Sequence, residues 1–148
     1  MKNEMTVIFD ALSENEAFAR NTVAAFCVTL DPTVDQINDI KTAVSEAVTN
    51  CIVHAYPDKG NNKIKIDTVV DENAVHIVVS DTGIGIDNIE DAKQPFYTTK
   101  PEQERSGMGF TVMESFMDSL DVTQNSPTGT VVTMVKTIRG ADWKKKKR

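Results

Sequence analysis

Residues 33 to 55 read as one long amphipathic helix, and the rest of the fold has to accommodate it. Thr33 and Gln36 stand at capping-box spacing, Ile37, Ile40, Val44, Val48 and Cys51 recur at helical period, and Pro57 forbids continuation. A similar stretch precedes it. Ser13 and Glu16 make a second capping pattern, and the stripe Phe18, Thr22, Val23, Phe26 and Leu30 predicts a helix to about Leu30, stopped by Asp31-Pro32. Downstream the period changes from helical to alternating. Residues 63–70 and 74–80 alternate on either side of Asp71-Glu72-Asn73, as the arms of a β-hairpin do. Residues 4–10 predict an edge strand, and 121–124 and 129–138 predict two more around the turn Ser126-Pro127-Thr128. Gly107 introduces a third helix with Val112, Met113, Phe116 and Met117 on its apolar face. Helices and strands are segregated rather than alternating. The predicted class is therefore α+β: a two-layer α/β sandwich with a mixed, mostly antiparallel sheet and helices on one face.

A chain of 148 residues, 40% of them hydrophobic, suffices for one core. The expected organisation is a single domain over residues 1–140, with a lid at about 87–106 and a basic tail at 141–148. The lid segment holds Pro95 and Pro101, several charges and little periodicity, and an unstructured loop of that length in a compact domain is usually functional. No run approaches the ~20 apolar residues of a membrane span. The beginning of the chain, with Glu4 and Asp10, has no signal-peptide profile, so a cytoplasmic location is expected. Cys27 and Cys51 sit singly in apolar-periodic segments and are expected to be buried free thiols.

The net charge is −6, yet residues 144–148 are all basic. Residues 1 to 143 then hold 11 positive against 22 negative charges, a net of −11. So acidic a body makes a poor nucleic-acid binder, and a nucleotide polyphosphate would enter it with a cation, Mg²⁺. No nucleic acid and no membrane is expected as a partner.

Chemistry-bearing residues gather in three places. Glu46, Asn50 and His54 recur every four residues, on a row away from the long helix's apolar stripe; an ordinary solvated face would show the same pattern. Asp81-Thr82-Gly83-Ile84-Gly85 follows directly from the second hairpin strand, and Arg105-Ser106-Gly107-Met108-Gly109 opens the third helix. Glycine has no Cβ, so such backbone can approach a ligand closely. The familiar nucleotide signatures are absent: there is no G-x-x-x-x-G-K-[ST], and Asn88 and Val112 stand where a G-x-G-x-x-G needs its third glycine. No H-R-D or D-F-G element of a protein kinase occurs either. The Asp81-Thr82-Gly83 triplet also occurs in aspartic proteases of the retroviral kind, but that almost wholly β fold conflicts with the long capped helices.

In order and separation these segments, with Gly129-Thr130, resemble the N, G1 and G2 boxes and the terminal Gly-Thr element of the GHKL ATPase and kinase superfamily. The match runs over nearly the whole chain. Residues 44–50, 98–102 and 105–110 are further similar to the anti-sigma-F serine kinases within that superfamily. The resemblance implies a Bergerat-type fold, a homodimer, and ATP with Mg²⁺ as cofactors. It also implies two protein partners: a sigma factor of the sigma-F type held inactive, and an anti-anti-sigma protein phosphorylated on a serine.

Roles follow from the same resemblance. Glu46 would be the general base on the partner's serine, and Asn50 would ligate Mg²⁺ through its amide oxygen. Asp81 would accept the adenine amino group, with Gly83 and Gly85 passing close to base and ribose and the Thr130 hydroxyl completing the network. Ser106, Gly107, Met108 and Gly109 would present the helix start to the phosphates, flanked by the charges of Lys100 and Arg105. His54 would close the row. A glutamate base activates water as readily as a serine hydroxyl, so the alternative is a small conformational ATPase or a related stress-type anti-sigma kinase. A pure nucleotide clamp would have no use for Glu46. Arg20, four residues from Glu16 and off its helix's apolar stripe, is expected on a surface shared by both protein partners.

Overall fold

The computed structural model describes residues 2–56, 62–87, 89–93 and 109–138. Pro57, most of the expected lid, Lys100, Arg105, Ser106, Gly107, Met108 and the basic tail lie outside the described residues. The strands β1 (Lys2–Asp10), β2 (Lys63–Asp71), β3 (Ala74–Asp81), β4 (Ser119–Gln124) and β5 (Thr130–Thr137) form one sheet in the order β1-β2-β3-β5-β4. The sheet expected to be mixed but mostly antiparallel is antiparallel at every pairing. β1 is an edge strand, as predicted. The register Asp71↔Ala74 makes Glu72-Asn73 a two-residue turn, with Glu72 left-handed at φ 54°.

Alternation decides which face is covered. Ile64, Ile66, Thr68 and Val70 on β2, Val75, Ile77, Val79 and Asp81 on β3, and Thr130, Val132 and Met134 on β5 are all buried, whereas Lys65 and His76 between them point to solvent. Three helices pack on that buried face: α1 (Asn15–Cys27), α2 (Val34–Asn50) and α4 (Gly109–Phe116). A single turn, α3 (Ile89–Ala92), occupies the start of the segment expected to be irregular.

α2 starts as predicted. The Gln36 N–H donates to Thr33 Oγ1 at 3.1 Å and the Thr33 N–H to Gln36 Oε1 at 2.9 Å, a closed box contributing about 1 kcal/mol. α1 differs. It begins at Asn15, and Ser13 offers only its backbone carbonyl, to the Glu16 N–H at 3.2 Å. The Glu16 carboxylate that would close the second box is instead ion-paired with Arg20. The expected stripe is buried only in part: Val23 is buried with Ala19, Ala24 and Cys27, Phe26 and Leu30 pack partly buried against the core, and Phe18 is 49% exposed. Small residues let α1 lie close to the layer beneath, which leaves Phe18 at the margin, edge-on to Phe9 with centroids 6.1 Å apart. On α4, Phe110, Met113 and the following Met117 are buried, whereas Phe116, expected on that face, is 37% exposed. Cys27 and Cys51 are buried free thiols, as predicted.

Candidate nucleotide site

The site is organised by the C-terminal end of α2. Glu46 and Asn50 lie one turn apart there, both half-buried. After Asn50 the helix widens into a π-turn over Cys51–Ala55. Such a turn lengthens the hydrogen-bond step to five residues, so the four-residue row is strictly α-helical only from Glu46 to Asn50, and His54 sits within the widened turn.

The π-turn delivers the Ala55 carbonyl to the glycine loop that leaves β3. That carbonyl accepts the Ile84 N–H at 3.0 Å and lies 2.1 Å from where a Cβ on Gly83 would stand. No side chain fits at Gly83 without moving the helix end. Tyr56, buried, reinforces the junction: its hydroxyl donates to the Lys63 carbonyl at 2.6 Å and accepts the Thr82 N–H at 2.8 Å. The end of α2, the start of β2 and the end of β3 are thereby tied at one atom.

Asp81, at the end of β3, is only 5% exposed. Its Oδ1 accepts the N–H groups of Gly83 at 3.0 Å and Thr130 at 3.2 Å, and its Oδ2 lies 3.5 Å from Cys51 Sγ. The Asn125 side-chain amide fixes the Asp81 carbonyl at 2.8 Å. Burial pushes the carboxyl above the usual carboxylate range, and the hydrogen bonds from Gly83, Cys51 and Thr130 pull the other way. The Cys51 thiol is driven well above its ordinary value by burial first, then by the Asp81 charge and by its bond to that carboxylate. It is therefore a protonated donor. Behind Asp81, Gly129 holds φ 115°, and a Cβ there would lie 2.1 Å from the Asp81 carbonyl oxygen. Gly85 turns at φ 80°. α4 arrives from another segment: a Cβ on Gly109 would stand 3.1 Å from both polar atoms of the Asn50 amide, so the described start of α4 abuts Asn50.

A model of the histidine kinase-like ATPase domain family matches residues 9–136 of this chain. The chain is 54% identical over 138 residues to the anti-sigma F factor of Geobacillus kaustophilus, covering 93% of this chain and 94% of that protein. Against the anti-sigma F factor of Clostridium beijerinckii it is 55% identical over 134 residues, covering 90% and 94%. Against that of Bacillus licheniformis it is 52% identical over 136 residues, covering 92% and 93%. The chain belongs to the histidine kinase-like ATPase family, in the branch of the anti-sigma F factors. Among solved structures, the RsbU and RsbW domains of a Mycobacterium tuberculosis protein superpose with a TM-score of 0.66 at 17% identity. That alignment covers 92% of this chain and 32% of the other, and it shows a shared fold.

Within this family fold, Asn50, Asp81, Gly83, Gly85, Gly109 and Thr130 converge at the end of α2, with Glu46 one turn back. The convergence fits a purine nucleotide. A buried acceptor-only carboxylate suits an exocyclic amino group, while the Cβ space at Gly83 and Gly129 is filled by the Ala55 and Asp81 carbonyls, so these glycines let the helix end and the residue before β5 close directly onto the Asp81 loop. The Thr130 backbone N–H reaches Asp81 directly. Arg20 lies on α1, half-buried and paired with Glu16. Sequence reasoning assigned no site role to Cys51, Tyr56 or Asn125. A tyrosine ending a helical run just before Pro57 was the available signal for Tyr56, because a buried phenol seeks a partner for its hydroxyl.

Proposed function

We propose that this protein is an anti-sigma factor that binds a sporulation sigma factor of the sigma-F type and holds it inactive. With ATP and Mg²⁺ it also phosphorylates, and so inactivates, an anti-anti-sigma partner on a serine. The observation that carries the nucleotide reading is the convergence of three distant segments, Asn50 against Gly109 and Cys51 against Asp81, at one helix end. The sigma-factor partner is supported by the names of the relatives, 52% to 55% identical over nearly their whole length; the anti-anti-sigma partner rests on the resemblance of the sequence motifs alone.

Bound ATP supplies the phosphoryl group, with Mg²⁺ offsetting its charge. Asp81 would hold the base by its amino group, in a loop fixed by Gly83 packing on the Ala55 carbonyl and Gly129 on the Asp81 carbonyl. Asn50 offers Mg²⁺ one amide oxygen. Among the described residues there is no cluster of three His, Cys, Asp or Glu side chains that could hold a metal, and Mg²⁺ commonly takes one or two protein ligands together with phosphate and water. The backbone N–H groups of Gly109 and of Ser106, Gly107 and Met108 would meet the phosphates, and Lys100 and Arg105 would add positive charge. Glu46 takes the proton from the partner's serine hydroxyl, assistance that contributes about 10² to 10⁴ in rate. Arg20 lies on a surface shared by the two protein partners. The homodimer reading is supported by edge strand β1 and the apolar groove beside it, lined by Met5, Phe18, Thr22 and Phe26.

Incubation with γ-labelled ATP and a candidate anti-anti-sigma protein tests this. Label on a partner serine supports the kinase; free phosphate without label selects the conformational ATPase; neither selects a clamp.

A further inference from the structure

We infer that Cys51 is a positioning residue that sets the site's preference for a 6-aminopurine, by donating its S–H to Asp81 Oδ2. The inference deepens the nucleotide reading and rests on it. The acceptor count at Asp81 carries the argument. Oδ1 takes two backbone donors, from Gly83 at 3.0 Å and Thr130 at 3.2 Å, so its lone pairs are spent. Oδ2 has one described protein partner, Cys51 Sγ at 3.5 Å. With Oδ1 held on one side and Oδ2 on the other, the carboxylate cannot rotate, and one Oδ2 lone pair is left for an incoming donor. A purine with an amino group at C6 supplies that donor. A 6-oxo purine brings an oxygen against a carboxylate, and an unsubstituted C6 brings nothing.

Cys51 is suited to this part by its place in the chain. It directly follows Asn50, at the first position of the π-turn, and is 4% exposed. A thiol carries one S–H, and Asp81 Oδ2 at 3.5 Å is the acceptor placed to receive it. Without it Oδ2 is left with a second unfilled acceptor site in a buried setting, and only the two backbone bonds on Oδ1 orient the carboxylate.

The test is calorimetry of the full chain with Mg-ADP and with the Mg²⁺ complex of purine riboside diphosphate, which lacks the 6-amino group. Cys51→Ala should weaken Mg-ADP by about 3- to 10-fold, the effect of an ordinary hydrogen bond and below that of a full bond to a charged group because a thiol is a weak donor, and leave the riboside analogue within about 2-fold. Cys51→Ser, which keeps a donor, should restore the preference for ADP. A thiol that merely fills space would lower both affinities together, or neither, and serine would not rescue selectivity. Either pattern overturns the inference. Asp81→Asn, run in parallel, separates the two levels. If it keeps the wild-type ADP preference, the base-pocket reading fails and the inference falls with it. If it abolishes that preference while Cys51→Ala retains it, the thiol inference alone is wrong.

Discussion

Replacing Asp81 by Asn changes no volume and two interactions. In the wild type the carboxylate accepts the Gly83 and Thr130 N–H groups on Oδ1 and the Cys51 thiol on Oδ2. An Asn that keeps its oxygen toward the two backbone donors must turn its NH₂ toward Cys51 and the base, where it meets two donors. The loss of a hydrogen bond to a charged group is about 1.5 to 3 kcal/mol, so Mg-ADP should bind about 10- to 150-fold more weakly. The pH dependence carries the same signature. Burial raises the Asp81 pKa, so the ionised form that accepts the amino group is lost on acidification sooner than at an ordinary aspartate. Wild-type affinity, divided by that of Asp81→Asn to cancel phosphate titration, should fall as pH drops through this raised value. Stability moves oppositely. A folded pKa above the unfolded one contributes stability that is present at low pH and lost as pH rises through the folded value. The difference in stability between Asp81→Asn and wild type should therefore shift in favour of the variant as pH rises across that window. Calorimetry and urea melts from acid to neutral pH measure both. Unchanged Mg-ADP affinity in the variant, or a ratio flat with pH, would refute the assignment of Asp81 as the base acceptor.

Glu46→Gln should lower phosphotransfer by about 10² to 10⁴ while nucleotide affinity stays near wild type, read by single-turnover labelling beside calorimetry; normal turnover removes Glu46 from the mechanism. Gly129→Ala places a Cβ 2.1 Å from the Asp81 carbonyl at φ 115°. It should cost more than ~2 kcal/mol in urea melts, and a neutral result would mean that this wall is not rigid. The Thr68 hydroxyl is buried and has no hydrogen-bond partner among the described residues. Thr68→Val should stabilise by about 1 kcal/mol, visible as a raised Tm, and a lowered Tm would show that the hydroxyl has a partner in solution.

Features settled by neighbours in the chain were legible from the sequence. The Thr33–Gln36 cap closes within four residues, and the β2–β3 hairpin follows from alternation on either side of a short turn. The spacing of Glu46, Asn50, Asp81, Gly83 and Gly109 was readable as a family pattern. What escaped depends on contacts between distant segments. Ser13-Glu16 has the same local form as Thr33-Gln36, but Glu16 finds Arg20 and leaves the cap unmade. The buried face of α1 is chosen by how closely Ala19 and Ala24 allow it to pack, which periodicity of large apolar residues cannot register. The π-turn at Cys51–Ala55 leaves no mark in composition, yet it brings the Ala55 carbonyl to Gly83 and Ile84. The contacts of Cys51 and Tyr56 with the β3 end span about thirty residues of chain and required the fold.

The central claim is that the end of α2, between Asp81 and Asn50, holds the nucleotide. A crystal structure of the full chain with Mg-ADP tests it most directly. The account predicts the adenine amino group on Asp81 Oδ2 beside Cys51, the metal on the Asn50 amide oxygen, and the phosphates at the start of α4. Adenine bound away from Asp81, or phosphates that do not approach Asn50 and Gly109, would contradict it.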